Sequence, residues 1–266
     1  MIVIFTDLDG SLLDFEDYSY EKAKPSLTKI RHGDVPLIMT TSKTRREVER
    51  LQKEMGIHEP FIIENGNAIF FPENYRGFSL PEGIRHEGYV CMLLGNAYTD
   101  IRHFIEKHRR AGIRGFRDMD VKEIMHHTGL PHEEALLAKE REFSEPVVLA
   151  EGCDVDALAQ QAHQYGLTLV RGGRFHHLSG EGQDKGRAVA IVTDIFRKQM
   201  EKSFITVGIG DSANDLPMLE RVDVPILIPR HDGSFADMEM PNLRKARYPG
   251  SRGWNDMMEE ILNDPA

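Results

Sequence analysis

The chain opens on Ile2-Val3-Ile4-Phe5, an unbroken apolar and mostly β-branched run, followed closely by Asp7 and Asp9. A strand covered on both faces needs such a run, so it predicts a buried strand of a parallel sheet with Asp7 at its carboxyl end. Residues 21–31 then show helical spacing through Ala23, Leu27 and Ile30, and Pro36 to Met39 read as a second buried strand ending at Thr40 and Thr41. Arg45 to Met55 predict a helix stopped by Gly56. Phe61 to Ile63 predict a third strand, whose Glu64-Asn65-Gly66 turn feeds Ala68 to Phe71 in a hairpin. Strand, helix, strand, helix, strand is the order of an open parallel sheet with right-handed crossovers, where ligands gather at the strands' carboxyl ends.

The same rhythm returns late, with helical Gly186 to Met200, a strand at Phe204 to Val207, the loop Gly208 to Asp215 and a helix from Leu216 to Arg221. Residues 83–181 follow a pattern of their own. They predict a strand at Tyr89 to Leu94, a helix at Tyr98 to Arg110, short helices near Val121 to His127 and Glu133 to Arg141, and a strand at Val147 to Ala150. A helix at Val155 to Tyr165 and strands at Leu167 to Arg171 and Phe175 to Leu178 complete the segment. The expected fold class is therefore α/β, a Rossmann-like parallel-sheet core (residues 1–82 and 182–266) interrupted by an inserted α+β domain (residues 83–181). Gly and Pro punctuation at Pro81 to Gly83 and Ser179 to Gln183 sets those boundaries.

Composition narrows the function. The net charge is −10 and the Lys and Arg residues are dispersed, which argues against a surface that tracks a nucleic-acid backbone. Early charged residues exclude a signal-peptide core, no apolar stretch is long enough for a membrane span, and two isolated cysteines fit a reducing compartment, so the expected location is cytoplasmic. The oligomeric state is not legible.

The chemistry concentrates at predicted strand ends. Asp7-Leu8-Asp9-Gly10-Ser11 puts two carboxylates two residues apart before a glycine that allows a sharp turn. Gly208-Ile209-Gly210-Asp211-Ser212-Ala213-Asn214-Asp215 repeats the arrangement far along the chain. Either segment alone also fits a plain turn or helix cap. If both converge, their four carboxylates repel, and a hard, oxygen-seeking divalent ion, Mg2+ first, is the expected partner. Lys185 opens a helix after Asp184, where it can meet both an anionic substrate and the acidic cluster, and Thr41 ends the second strand at the same height. His126, His127 and His132 complete no zinc pattern and read as surface residues.

Asp7-Leu8-Asp9-Gly10-Ser11, Thr41, Lys185 and Gly210-Asp211 to Asp215 match, in order, the four motifs of the haloacid dehalogenase superfamily, which the chain resembles over its whole core. The position and size of the insert resemble the C2B-type cap of the superfamily's Cof-like branch. Within that branch the strings Tyr18-Ser19-Tyr20, Thr41-Ser42-Lys43-Thr44-Arg45, Phe61 to Gly66, Phe143-Ser144-Glu145-Pro146 and Gly172 to Leu178 are similar to the mannosyl-3-phosphoglycerate phosphatase family. Two residues depart from the pattern. Ser11 stands where the superfamily more often has Thr, and His176 where that family often has an aromatic.

The resemblance implies a Mg2+-dependent phosphatase that hydrolyses mannosyl-3-phosphoglycerate, a small anionic sugar phosphate, without nucleic-acid or membrane partners; the glucosyl analogue or another sugar phosphate, and a phosphomannomutase-like transfer, are the alternatives. It implies Asp7 as nucleophile, Asp9 as general acid and base, and Thr41 and Lys185 as catalytic groups holding the phosphoryl oxygens. The ion would be held by Asp7, Asp9 through its backbone carbonyl, Asp211 and Asp215, the last directly or from behind. Ser42, Lys43, Asn65, Arg171, Arg174, His177 and Asn214 are the expected substrate-binding residues; Arg171, Arg174 and His177 fall on the insert's last strands, just before Lys185.

Overall fold

The computed structural model describes residues 1–171 and 175–263. Its strands fall into two sheets. The larger begins with β1 (Ile2–Thr6), β2 (Leu37–Thr40), β3 (Phe61–Ile63), β4 (Ala68–Pro72), β5 (Ile84–His86) and β6 (Tyr89–Leu93). The chain then builds a four-stranded sheet from β7 (Ile113–Gly115), β8 (Ser144–Leu149), β9 (Leu167–Arg171) and β10 (His176–Gly180). It returns to the larger sheet with β11 (Ile205–Gly210), β12 (Val224–Leu227) and β13 (Arg244–Lys245), giving the nine-strand order β13-β12-β11-β1-β2-β3-β4-β6-β5. The helices are α1 (Lys24–His32), α2 (Arg45–Met55), α3 (Tyr98–His108), α4 (Val121–Thr128), α5 (His132–Lys139), α6 (Val155–Gln164), α7 (Lys185–Gln199), α8 (Leu216–Leu219) and α9 (Gly250–Asn263). None among the described residues is long and apolar enough to cross a membrane.

β1 lies parallel between β11 and β2 and is buried along its whole length, as its uninterrupted apolar run predicts. Alternate side chains serve opposite faces. Ile2 and Ile4 pack with Leu27, Ile30, Val48, Trp254 and Met258 from α1, α2 and α9. Val3 and Phe5 pack with Val189, Val192 and Phe196 of α7 and with Met218. Such double coverage is what a mostly parallel sheet needs, and it leaves the loops at the strands' carboxyl ends free for chemistry.

The small sheet packs Val147, Leu167, Leu169 and Leu178 against Phe104 and Leu158 of α3 and α6. A separate cluster of Phe116, Met119, Ile124, Leu130 and Ala135, with Val148 and Phe175 against it, also receives Tyr18 from the loop after β1. Hydrophobic contact thus joins the insert to that loop.

One expected boundary moves. The strand beginning at Tyr89, assigned to the insert, instead pairs antiparallel with β4, with Phe70 opposite Cys91, and β5 pairs outside it. The change of sheet therefore comes after Leu93 rather than at residue 83. The physical cause is the β3–β4 hairpin: once β4 runs antiparallel, its outer edge offers a ladder that the next apolar segment can fill by a simple meander. The chain leaves and re-enters the larger sheet at neighbouring points, for a Cβ on Gly180 would lie 2.7 Å from Asn96 N and 3.0 Å from Gly95 Cα.

Candidate active site

Asp7 follows β1 directly, and its N–H donates to Ile209 O across the parallel ladder at 2.8 Å, tying the first acidic loop to the one after β11. Gly10 then turns with φ +83°, and a Cβ there would lie 2.7 Å from Asp211 Oδ2, so only glycine lets the two loops approach so closely. Oxygens of Asp7, Asp211 and Asp215 lie within 4.8 Å of one another.

Lys185, the first residue of α7, is completely buried and donates from Nζ to Asp7 Oδ1 and to Asp215 Oδ1, each at 2.6 Å. The other oxygen of Asp215 accepts the backbone N–H groups of Asp211 and Ser212 at 3.0 and 3.1 Å. Both Asp215 oxygens are thus occupied in holding Lys185 and the Asp211 loop. Asp211 Oδ1, by contrast, is buried with no hydrogen-bond partner among the described residues.

Burial pushes the Asp7 carboxyl well above the usual carboxylate range despite the opposing pull of Lys185, and Asp215, Asp211 and Asp9 add repulsion. Burial, then the Asp215 charge, pushes Asp211 up to about 7. Burial alone would depress the Lys185 ammonium, yet Asp215 and Asp7 hold it above the ordinary lysine value. Three carboxylates around one ammonium leave excess negative charge beside an unpartnered oxygen. A hard divalent cation that accepts only oxygen ligands fits that donor set.

Thr41 follows β2 and is buried, with Oγ1 accepting the Lys43 N–H at 3.1 Å. Its hydroxyl proton is left to donate elsewhere. Lys43 Nζ pairs with Asp9 Oδ1 at 2.9 Å and lies 4.9 Å from the Tyr18 ring centroid. Asp9 thereby faces Lys43 rather than joining the group of three carboxylates. Burial would lower the Lys43 ammonium, but Asp9 and Glu47 hold it above its ordinary value.

The β3–β4 turn supplies the remaining wall. Glu64, Asn65 and Gly66 are consecutive left-handed residues, with φ of 50°, 61° and 92°. A Cβ at Gly66 would lie 2.1 Å from Asp184 O, so the turn packs directly on the start of α7 that carries Lys185. Asn214 Nδ2 donates to Asn65 Oδ1 at 3.1 Å, bringing together two expected substrate-binding residues.

Across the mouth, residues 137–144 of the insert are fastened to this floor. The buried Glu64 carboxylate accepts the Glu142 and Phe143 N–H groups at 2.9 and 3.2 Å and the Ser144 hydroxyl at 2.5 Å. Arg141 Nη1 donates to Ser42 O at 2.6 Å, and Thr44 Oγ1 donates to Leu137 O at 3.0 Å.

The haloacid dehalogenase-like hydrolase family matches residues 4–79. A glucosyl-3-phosphoglycerate/mannosyl-3-phosphoglycerate phosphatase from Persephonella marina is 50% identical over 264 residues, covering 99% of this chain and 98% of its own. The chain belongs to the haloacid dehalogenase-like hydrolases. A protein of the same description from Methanococcoides burtonii is 38% identical, covering 98% of this chain and 97% of its own. A haloacid dehalogenase-like hydrolase from B. subtilis superposes with a TM-score of 0.68 at 17% identity, covering 98% of this chain and all of its own, and shares the fold.

As a haloacid dehalogenase-like hydrolase, the chain brings Asp7, Asp211, Asp215 and Lys185 into direct contact or close approach, with Thr41, Asp9 and Lys43 beside them. His177 lies half-buried on β10, where burial first, and then the Arg141 and His176 charges, push its imidazole down to about 4. Arg171 is exposed on the edge strand β9 and forms no hydrogen bond or ion pair to the core among the described residues. Arg174 lies outside the described residues. His126, His127 and His132 are exposed.

Several supporting residues were not anticipated. Trp254 Nε1 donates to Thr6 Oγ1 at 2.9 Å, and Thr6 Oγ1 donates to Asp7 O at 2.7 Å, so α9 braces the backbone of Asp7. The spacing Trp254, Met257, Met258, Ile261 is the signal that would have revealed this helix. Arg141 and Glu64 carry no such pattern, since each matters only through partners far away in sequence.

Proposed function

We propose that this chain is a Mg2+-dependent phosphatase that hydrolyses mannosyl-3-phosphoglycerate and glucosyl-3-phosphoglycerate to the glycosylglycerate and phosphate, through an aspartyl-phosphate on Asp7. The observation that carries the reading is the buried Asp7–Lys185–Asp215 bridge beside Asp211, in a chain matched almost end to end by a relative named for both substrates.

Asp7 attacks phosphorus in line, and the bond to the glycerate oxygen breaks as Asp9 donates a proton to that oxygen. Asp9 then takes a proton from water, whose oxygen attacks the phosphorus and releases phosphate from Asp7. Lys185 opposes the protonation of Asp7 and orients it, and with the Thr41 hydroxyl it offsets charge on the phosphoryl oxygens, worth on the order of a few kcal/mol for such a donor. Asp7, the Asp9 carbonyl and Asp211 would hold Mg2+, with Asp215 orienting Lys185 and the Asp211 loop. When bound, the ion supplies charge that screens the nucleophile from the phosphate and polarises it. Asn65, Asn214, Ser42, Lys43 and His177 border the place where the glycosylglycerate sits, under a cap formed by the insert.

The test is phosphate release from both glycosyl-3-phosphoglycerates, sugar monophosphates and flavin mononucleotide, with Mg2+ and with a chelator. Release from the two glycosyl esters that stops on chelation and returns with Mg2+ is expected. Phosphate moved to a second sugar position without release would mark a phosphomutase and overturn the reading.

A further inference from the structure

Among the described residues four cationic side chains are about nine-tenths or more buried: Lys43, Arg45, Arg141 and Lys185. Three of them meet a carboxylate closely: Lys43 meets Asp9 at 2.9 Å, Arg45 meets Glu87 at 2.6 Å and Lys185 meets Asp7 at 2.6 Å. Arg141 forms no salt bridge with any described carboxylate. Its Nη1 is committed to Ser42 O at 2.6 Å and its Nε to Ala138 O at 3.2 Å, both backbone carbonyls, while Nη2 donates to no described residue.

Two buried carboxylates feel the Arg141 charge from a distance, but both are engaged elsewhere. Glu64 is held by three donors from residues 142–144, and Glu145 by Tyr98 and the Arg117 N–H. A buried guanidinium that lacks a paired anion is costly, and its planar fork suits a carboxylate or a phosphate; with Lys185 and Thr41 already at the phosphoryl site, the carboxylate is the anion left for Arg141. Its location is equally specific. Ser42 separates Thr41 from Lys43, and His177 is near enough for the Arg141 charge to lower its protonation, after burial. In a glycosylated phosphoglycerate the carboxylate and the phosphate share one three-carbon unit, so the carboxylate must be received within a few bonds of the phosphoryl site.

We propose that Arg141 binds the glycerate carboxylate, so that the substrate supplies the missing counter-charge and the insert selects for this anion. The proposal rests on the substrate class advanced above. It makes Arg141 a specificity-determining residue distinct from the exposed Arg171.

The test compares mannosyl-3-phosphoglycerate with its carboxamide counterpart, in the wild-type enzyme, Arg141→Gln and Arg141→Lys. The wild type is expected to prefer the acid by roughly 30- to 1000-fold in kcat/KM, chiefly through KM, as for loss of one partner of a buried charged pair. Arg141→Gln is expected to abolish most of that preference, lowering the acid far more than the amide, and Arg141→Lys to restore part of it. Equal losses on acid and amide would mean a structural role and overturn the proposal, as would a variant that keeps the wild-type preference. If Arg141→Gln does not fold, the acid-to-amide ratios of the wild type and Arg141→Lys decide, and equal ratios overturn the proposal. A wild type that releases phosphate from neither compound, yet hydrolyses another phosphate ester, overturns the function and this proposal together. A wild type that prefers the acid while Arg141→Gln keeps the preference overturns the Arg141 assignment alone.

Discussion

At the floor of the site Lys185 touches Asp7 and Asp215 at 2.6 Å and Lys43 touches Asp9 at 2.9 Å, whereas the insert facing it offers Arg141 without a salt bridge and Arg171 in solvent. His177, on β10 of the insert, is held as a neutral ring. Both cations of the floor are paired and the floor is held from both faces of the sheet, so it is organised before any substrate arrives, with its excess negative charge left for a divalent cation. In the insert, Arg102 and Arg114 are paired with Asp118 and Glu123, and Arg141 is the buried cation left without a salt bridge among the described residues. On the proposed reading, the contrast teaches that the chemistry is fixed at the strand ends of the larger sheet, while selection falls to the insert that packs over them.

The sharpest way to break that contrast is at the floor. Asp7→Asn should lower phosphate release by at least about 1000-fold, since the nucleophile itself is lost, in a steady-state assay where the protein remains folded. Residual turnover within ten-fold of wild type would remove Asp7 from its role. Lys185→Met comes next: it leaves Asp7 and Asp215 facing each other unpaired, and should cost about 3–5 kcal/mol in a denaturant titration together with most of the activity. An unchanged unfolding midpoint would show that the floor is not electrostatically interlocked.

His177 tests the middle ground through pH. Its folded pKa is about 4 against an ordinary 6.5, so between those values the unfolded chain binds the extra proton. Stability should therefore fall as pH drops from 6.5 towards 4, by on the order of 1–3 kcal/mol, and His177→Gln should flatten that slope. Thermal melts at several pH values check this, and a slope unaltered by the substitution would assign it to other groups. The smallest effect is expected from Arg171→Gln, within about three-fold in kcat/KM, because an exposed arginine with no described partner contributes little. A loss above ten-fold would draw the edge strand β9 into the site.

How far the sequence spoke for itself follows the same division. β1, β2 and α2 were legible because each is bounded by a local signal: an unbroken apolar run, or a helix ended at Gly56 with φ 65°. The acidic floor could be read because Asp7, Asp211 and Lys185 each sit at the end of such an element. The region after Arg221 could not. β12 contains Pro225, β13 is only two polar residues, and α9 opens through Gly250 and Gly253, residues that ordinarily argue against a helix. Gly250 is there because its φ is +58° and a Cβ would come within 2.4 Å of Asp14 Oδ1, a tertiary demand invisible along the chain. The placement of the Tyr89 strand failed for a related reason, since its partner β4 was chosen by an available sheet edge rather than by the strand's own composition.

The closeness of Gly180 to Gly95 and Asn96 has a wider meaning. A long excursion that departs and comes home through one doorway adds almost no distance to the path of the larger sheet, and doubling its length adds only about 0.6 kcal/mol of closure entropy. Lengthening, trimming or reshaping the excursion leaves the threshold untouched. Such a scaffold can change what it admits while leaving its reacting groups where they are.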